Sequence, residues 1–237
     1  MTTVDVNPVN TKYIQRWLKD DVYWFKDCVF TIDEARANLD PTLRLQAIRR
    51  FPIDEEYLRL LLYFVDLDPI VWMNKSRRMM ATWLFTARLV KKACWTFGSG
   101  NYIISRSLTE ADDLLRERCY FIYDNIPEAH WDEEYQCYVN LKALHPKVTL
   151  KRYRFEVPEM KSFIKAVAAG PHKIRGKTGS NIFWDEIASQ EKILETWEAL
   201  GYVIKGGGHI QGITTPEDND FKILFYGLTG ATNRAIL

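Results

Sequence analysis

Ile70-Val71-Trp72-Met73-Asn74-Lys75-Ser76-Arg77-Arg78-Met79-Met80-Ala81-Thr82-Trp83 is the stretch on which the reading of this chain turns. Its first four residues are apolar and β-branched at the start, the middle is basic, and from Thr82 to Phe97 the residues Trp83, Ala87, Val90 and Cys94 fall on one helical face. The spacing therefore predicts strand, loop and helix, the order that a triphosphate site needs. A standard phosphate loop uses glycines so that backbone N–H groups can approach phosphate oxygens, and its lysine reaches the β and γ groups. This loop has no glycine and carries its one lysine, Lys75, at the front. A long lysine stem reaches phosphates from there, Thr82 supplies a hydroxyl for a magnesium ion, and the helix start offers its dipole to an anion. Read alone, the same stretch is equally a strand followed by a basic, solvated helix start.

A second stretch, Asn181-Ile182-Phe183-Trp184-Asp185-Glu186, ends a buried strand on two adjacent acids. One of them can hold magnesium and the other can activate a water, with Asp185 in the first role and Glu186 in the second. A helix start that favours acids is the plain alternative. The third stretch, Gly212-Ile213-Thr214-Thr215-Pro216, places two hydroxyls at a strand exit, where they could sense a γ-phosphate, or simply end the strand. Lys75, Asp185 and Thr214 each stand just past a predicted strand, and ligands of parallel sheets bind at those carboxyl ends.

The rest of the chain alternates strands and helices. Helical spacing covers residues 11–27 and 54–65, and the first fifty residues read as mostly helical. Tyr102–Ser105 reads as a buried strand, Thr109 to about Asp124 as a helix, and Val148–Val157 as one half-exposed strand with 162–168 as its partner. Ile182–Trp184 is a strand, Gln190–Leu200 a helix and His209–Thr214 a strand. The fold class expected is α/β, a mainly parallel sheet flanked by helices with a helical N-terminal segment. One domain is expected over 1–237, with 1–66 as the N-terminal segment and 67–237 as the core, softest near Asp40-Pro41 and His145-Pro146.

With 47% apolar residues the chain can bury a sizeable core, and its 32 basic and 31 acidic side chains leave a net charge of +1. Contact with nucleic acid must therefore come from a local patch rather than from the overall field. The cysteines Cys28, Cys94, Cys119 and Cys137 form no Cys-x-x-Cys pair, and the histidines His130, His145, His172 and His209 share no ligand spacing, which argues against a zinc site. A Ser-His-Asp triad is unsupported. No apolar run approaches the length that spans a bilayer, and the start lacks a secretion signal, so a soluble intracellular protein is expected. Phosphoryl transfer usually calls for an arginine. Arg78 is the in-chain candidate, while Arg152 and Arg154 could serve a neighbouring subunit. The basic stretch Lys173 to Ser180 suits a phosphate backbone or a solvated loop.

Set in order, these segments resemble the ATPase domain of a tailed-phage terminase large subunit, the motor that pumps viral DNA into a procapsid. Such proteins carry a deviant loop, Lys-Ser-Arg-Gln-x-Gly-x-Ser/Thr, which residues 75–82 match at Lys75, Ser76, Arg77 and Thr82, with Arg78 in place of glutamine and Met80 in place of glycine. Tyr102 to Ser107, Arg175-Gly176-Lys177-Thr178 and Asp185-Glu186-Ile187-Ala188 are similar to further family segments. The resemblance implies a P-loop NTPase core of the ASCE/RecA-like kind. It implies ATP held by Lys75, Ser76, Arg77, Met79, Met80, Ala81 and Thr82, an adenine side near Arg50, Phe51 and Tyr57, and Mg2+ at Thr82 and Asp185. Glu186 and Arg78 would be catalytic and Thr214, Thr215 and Pro216 would couple hydrolysis to movement. The implied partners are double-stranded DNA, a portal protein and a terminase small subunit, with no membrane, in a homo-oligomeric ring that is monomeric when unassembled. The place is the host cytoplasm, at the procapsid portal. The family's nuclease domain is not expected within this chain, which reads as a fragment or an isolated domain. Two other classes stay open: another nucleic-acid-dependent, helicase-like ATPase, and a DNA- or capsid-binding module with a decayed nucleotide site.

Overall fold

The computed structural model describes residues 7–32, 47–75, 79–174, 179–215, 220–225 and 234–236. In chain order the elements are α1 (Pro8–Lys19), α2 (Asp21–Cys28), β1 (Phe30–Ile32), β2 (Ile48–Arg50), α3 (Glu56–Leu67), β3 (Ile70–Asn74), α4 (Ala81–Trp95) and β4 (Gly100–Ser105). There follow α5 (Leu108–Leu114), α6 (Phe121–Asp124), β5 (His130–Asp132), β6 (Cys137–Val139), β7 (Thr149–Lys151), β8 (Arg154–Val157) and β9 (Ser162–Ala168). The chain continues through α7 (Pro171–Ile174), β10 (Asn181–Trp184), α8 (Ile193–Lys205), β11 (His209–Thr214), α9 (Phe221–Phe225) and β12 (Arg234–Ile236).

Eight strands form the central sheet in the order β12-β3-β11-β10-β4-β9-β8-β7. From β12 to β9 every pairing is parallel, and β8 and β7 close the edge antiparallel. This is the expected α/β class. The central strands β3, β4 and β10 are buried along nearly their whole length, because both sheet faces are covered. One face meets α4, whose residues Leu84 to Lys91 are all buried, and the segment from α5 to α6. The other face meets α8 and α9 through Trp72, Trp184, Trp197 and Phe221, with Trp72 ring centroids 5.3 Å from Trp197 and 6.1 Å from Trp184. Gly212 of β11 lies beneath this cluster. A Cβ there would fall 2.4 Å from carbons of the Trp72 ring and from Ile187 Cδ1, so only glycine fits.

Several expectations need correction. Residues 11–27 are two helices, since Asp20 is extended, ends α1 and accepts a hydrogen bond from Val22 N–H as the cap of α2. The N-terminal segment also contains a two-stranded sheet, with β1 antiparallel to β2. The helix expected from Thr109 starts at Leu108, where Ser107 and Glu110 form a capping box, and it widens into a π-helical stretch over Leu115–Tyr120. Val148–Val157 is a hairpin rather than one strand, because Tyr153 takes a left-handed φ of 60° and turns the chain. The helix expected from Gln190 begins at Ile193. Among the described residues no helix is long and apolar enough to cross a membrane.

Candidate nucleotide site at the carboxyl ends of the strands

β11 lies between β3 and β10 in the sheet, so the residues that follow these three strands share one edge. On β3, the Lys75 N–H donates to Thr214 O at 2.9 Å, which extends the β3–β11 pairing by one residue and fixes where the lysine leaves the sheet. After the loop, Met80 adopts a left-handed backbone at φ 55°, the conformation glycine would supply at no cost. The glycine-free loop thus still makes a left-handed turn into α4. Among the described residues no side chain caps α4, so its first amides suit an external acceptor. Thr82 is the second helical residue. Ser76, Arg77 and Arg78 lie outside the described residues, as does Pro216.

β10 delivers the two acids differently. Asp185 N–H donates to Ile104 O at 2.8 Å, keeping the residue in the sheet, and only 8% of it is exposed. Its Oδ1 is buried without a partner, and its carboxyl is pushed up to about 7, first by burial and second by the neighbouring Glu186 charge, with Lys75 pulling the other way. A buried carboxyl with one oxygen left unpaired, beside a second acid, is a donor that a divalent cation satisfies. Glu186 then turns sharply, at a left-handed φ of 45°, and points its carboxylate back over the sheet edge. Oε1 lies 3.3 Å from Lys75 Nζ, and Oε2 accepts from Thr215 N–H at 3.4 Å. The Thr214 hydroxyl accepts from Ala188 N–H at 3.0 Å and donates to Thr215 O at 3.0 Å. Lys75, Glu186, Thr214 and Thr215 are therefore one polar network, and Asp185 adjoins it.

Other residues that the sequence singled out stand apart from this network. Phe51 is buried in the core against Phe25, with ring centroids 5.4 Å apart, and Arg50 donates to Lys26 O at 2.5 Å. Arg152 sits at the exposed β7–β8 turn, and Arg154 is held by Glu156 at 2.7 Å and by the Phe163 ring at 4.0 Å. Sequence reasoning missed Gln190. Its amide donates to Asp185 O at 2.6 Å and accepts from Trp184 Nε1–H at 2.6 Å, bracing the turn that carries both acids. A polar residue a few positions past the acids was the only signal available. It also missed a cleft of about 420 Å³ beside the acids, lined among others by Ser105, Arg106, Glu110, Arg118, Asp185 and Glu186.

No family model matches the sequence, and no curated protein matches it. Among solved structures, the HK97 bacteriophage large terminase superposes with a TM-score of 0.56 at 13% identity, covering 77% of this chain. The chain shares the fold of that terminase. It spans 37% of the HK97 protein's length. The large terminase ATPase domain of Thermus phage P74-26 is similar at a TM-score of 0.47 and 16% identity, covering 67% of this chain and 64% of that one.

Proposed function

We propose that this chain is a DNA-packaging ATPase of the large-terminase kind, in which ATP hydrolysis drives double-stranded viral DNA into a procapsid. The observation that carries the reading is the meeting of Lys75 and Glu186 at 3.3 Å, from loops 111 residues apart, beside the buried Asp185 carboxyl, whose Oδ1 has no partner. A lysine for phosphate, an acid for the metal and a second acid for water make up a phosphoryl-transfer set. Lys75 leaves Glu186 for the β- and γ-phosphates, the open amides of α4 face the same group, and Glu186 is left to orient and deprotonate the attacking water.

Asp185 fits magnesium, with the Thr82 hydroxyl as second ligand. A magnesium ion held there would neutralise charge that develops on the phosphates. Thr214 and Thr215 tie Glu186 to β11, so a shift of Glu186 moves that strand end, which is the coupling role. Arg78 remains the in-chain arginine. Of the two arginines offered for a neighbouring subunit, Arg152 is the exposed one and has no acidic partner among the described residues, whereas Arg154 is occupied by Glu156. A ring of such chains at a portal, with a small subunit delivering DNA in the host cytoplasm, completes the reading.

Binding of a fluorescent ATP analogue with magnesium tests it. Lys75→Ala should lose binding while Glu186→Gln retains it. Equal binding by wild type and Lys75→Ala would sink the assignment of the loop.

A further inference from the structure

The edge of the sheet remote from β12 carries a charge pattern that the nucleotide site does not use. Residues 147–168 hold six cations, Lys147, Lys151, Arg152, Arg154, Lys161 and Lys165, against two acids, Glu156 and Glu159. That is a net charge of +4 in a chain whose total is +1. The register concentrates it further. Lys151 of β7 is directly opposite Arg154 of β8, and Arg154 is directly opposite Lys165 of β9, so three cations form one rung across three adjacent strands. Directly opposed residues share a sheet face, and Arg154 lies over the Phe163 ring at 4.0 Å on that same face. On β7 the face is open to water, since Thr149 and Lys151 are exposed.

Like charges placed opposite one another destabilise a sheet. Glu156 bonds both Lys151 and Arg154, leaving Lys165 without an ion pair among the described residues. Lysine on an edge strand commonly serves to prevent edge-to-edge pairing. That purpose accounts for Lys151 but not for Lys165, which sits on β9, hydrogen-bonded between β4 and β8. A rung that costs stability and serves no edge needs an external anion.

We propose that this rung, with Lys147 and Lys161 flanking it, grips the phosphate backbone of double-stranded DNA. Neighbouring strands are about 4.8 Å apart, so the rung spans about 10 Å and can bridge successive phosphates of one strand. The contacts read no bases, as a motor that moves along any sequence requires. Choosing DNA among polyanions rests on the packaging reading, whereas the anion surface itself does not.

The test is fluorescence anisotropy of a labelled random duplex with the whole chain, wild type against Lys151→Ala/Lys165→Ala, across a salt series. Each phosphate contact contributes a slope of about −0.9 in log affinity against log salt. The double variant should therefore bind more weakly with a slope shallower by about 2, so that from about 50 to 200 mM salt the wild type loses about tenfold more affinity than the variant. The variant's thermal midpoint should stay level or rise, and ATP hydrolysis without DNA should not change. Lys19→Ala/Lys26→Ala removes the same charge from α1 and α2 and should leave the slope alone. An unchanged slope in the Lys151/Lys165 variant, an equal drop in the Lys19/Lys26 variant, or no duplex binding by the wild type at low salt each overturns the proposal. If the slope falls as expected but the chain does not hydrolyse ATP, the surface stands and the packaging reading fails.

Discussion

Asp185→Asn should make the metal-free protein more stable at alkaline pH, and the gain should shrink as the pH falls. The carboxyl is raised from its ordinary 3.8 to about 7 by burial and by Glu186. A group raised in the folded state holds its proton there after the unfolded chain has released it, so it lends no penalty below pH 4. Stability is then lost as pH climbs to about 7. The full difference is about three decades of proton affinity, or about 4 kcal/mol at pH 8, of which under half is already spent at pH 5. Asparagine carries no charge, and its unsatisfied amide costs about 1–3 kcal/mol at any pH. The clean quantity is thus the change in the gap between the two proteins from pH 5 to pH 8, about 2.5 kcal/mol in favour of the variant. At about 2–4 °C per kcal/mol for a chain of this size, the midpoint gap should open by about 5–10 °C. Thermal unfolding in a chelating buffer at both pH values measures it. A gap that does not change with pH would refute the argument that Asp185 is a costly buried charge kept for binding a cation.

Three further substitutions probe the supports of the site. Gln190→Met keeps the volume but strands Asp185 O and Trp184 Nε1, so turnover per bound nucleotide should fall at least tenfold while nucleotide affinity stays within about twofold, a cost of about 1.4 kcal/mol placed on the chemical step; Gln190→Glu should recover part of it at low pH, where a protonated acid donates to Asp185 O. Gly212→Ala forces a methyl into Trp72 and Ile187 and should cost about 1–3 kcal/mol in chemical denaturation, with hydrolysis lowered because Ile187 follows Glu186. Met80→Gly should preserve hydrolysis, whereas Met80→Val, β-branched at a left-handed position, should lose about 1–2 kcal/mol of stability and most activity.

Much of the sheet was legible because buried parallel strands are short apolar runs, and Ile70–Met73, Tyr102–Ile104 and Ile182–Trp184 are such runs. Elements shaped by one residue's backbone were not. The apolar alternation of 148–157 passes through Arg152 and Tyr153 without a glycine, proline or asparagine, so nothing in the residue types marks the turn that Tyr153 makes. Asp20 did carry a cap signal, hidden inside a longer apolar period. For the site, residue chemistry picked out Lys75, Asp185 and Glu186 one by one. Their convergence depends on β11 lying between β3 and β10, and the Gln190 brace depends on the turn at Glu186; neither is a local property of the sequence.

The most direct test of the central claim is steady-state ATP hydrolysis by the purified chain with and without double-stranded DNA, beside Glu186→Gln, at protein concentrations high enough for subunits to meet. The account predicts hydrolysis that DNA stimulates and that Glu186→Gln abolishes while still binding nucleotide. Hydrolysis that survives in Glu186→Gln, or a concentrated wild-type protein that binds DNA yet never turns over ATP, would contradict it.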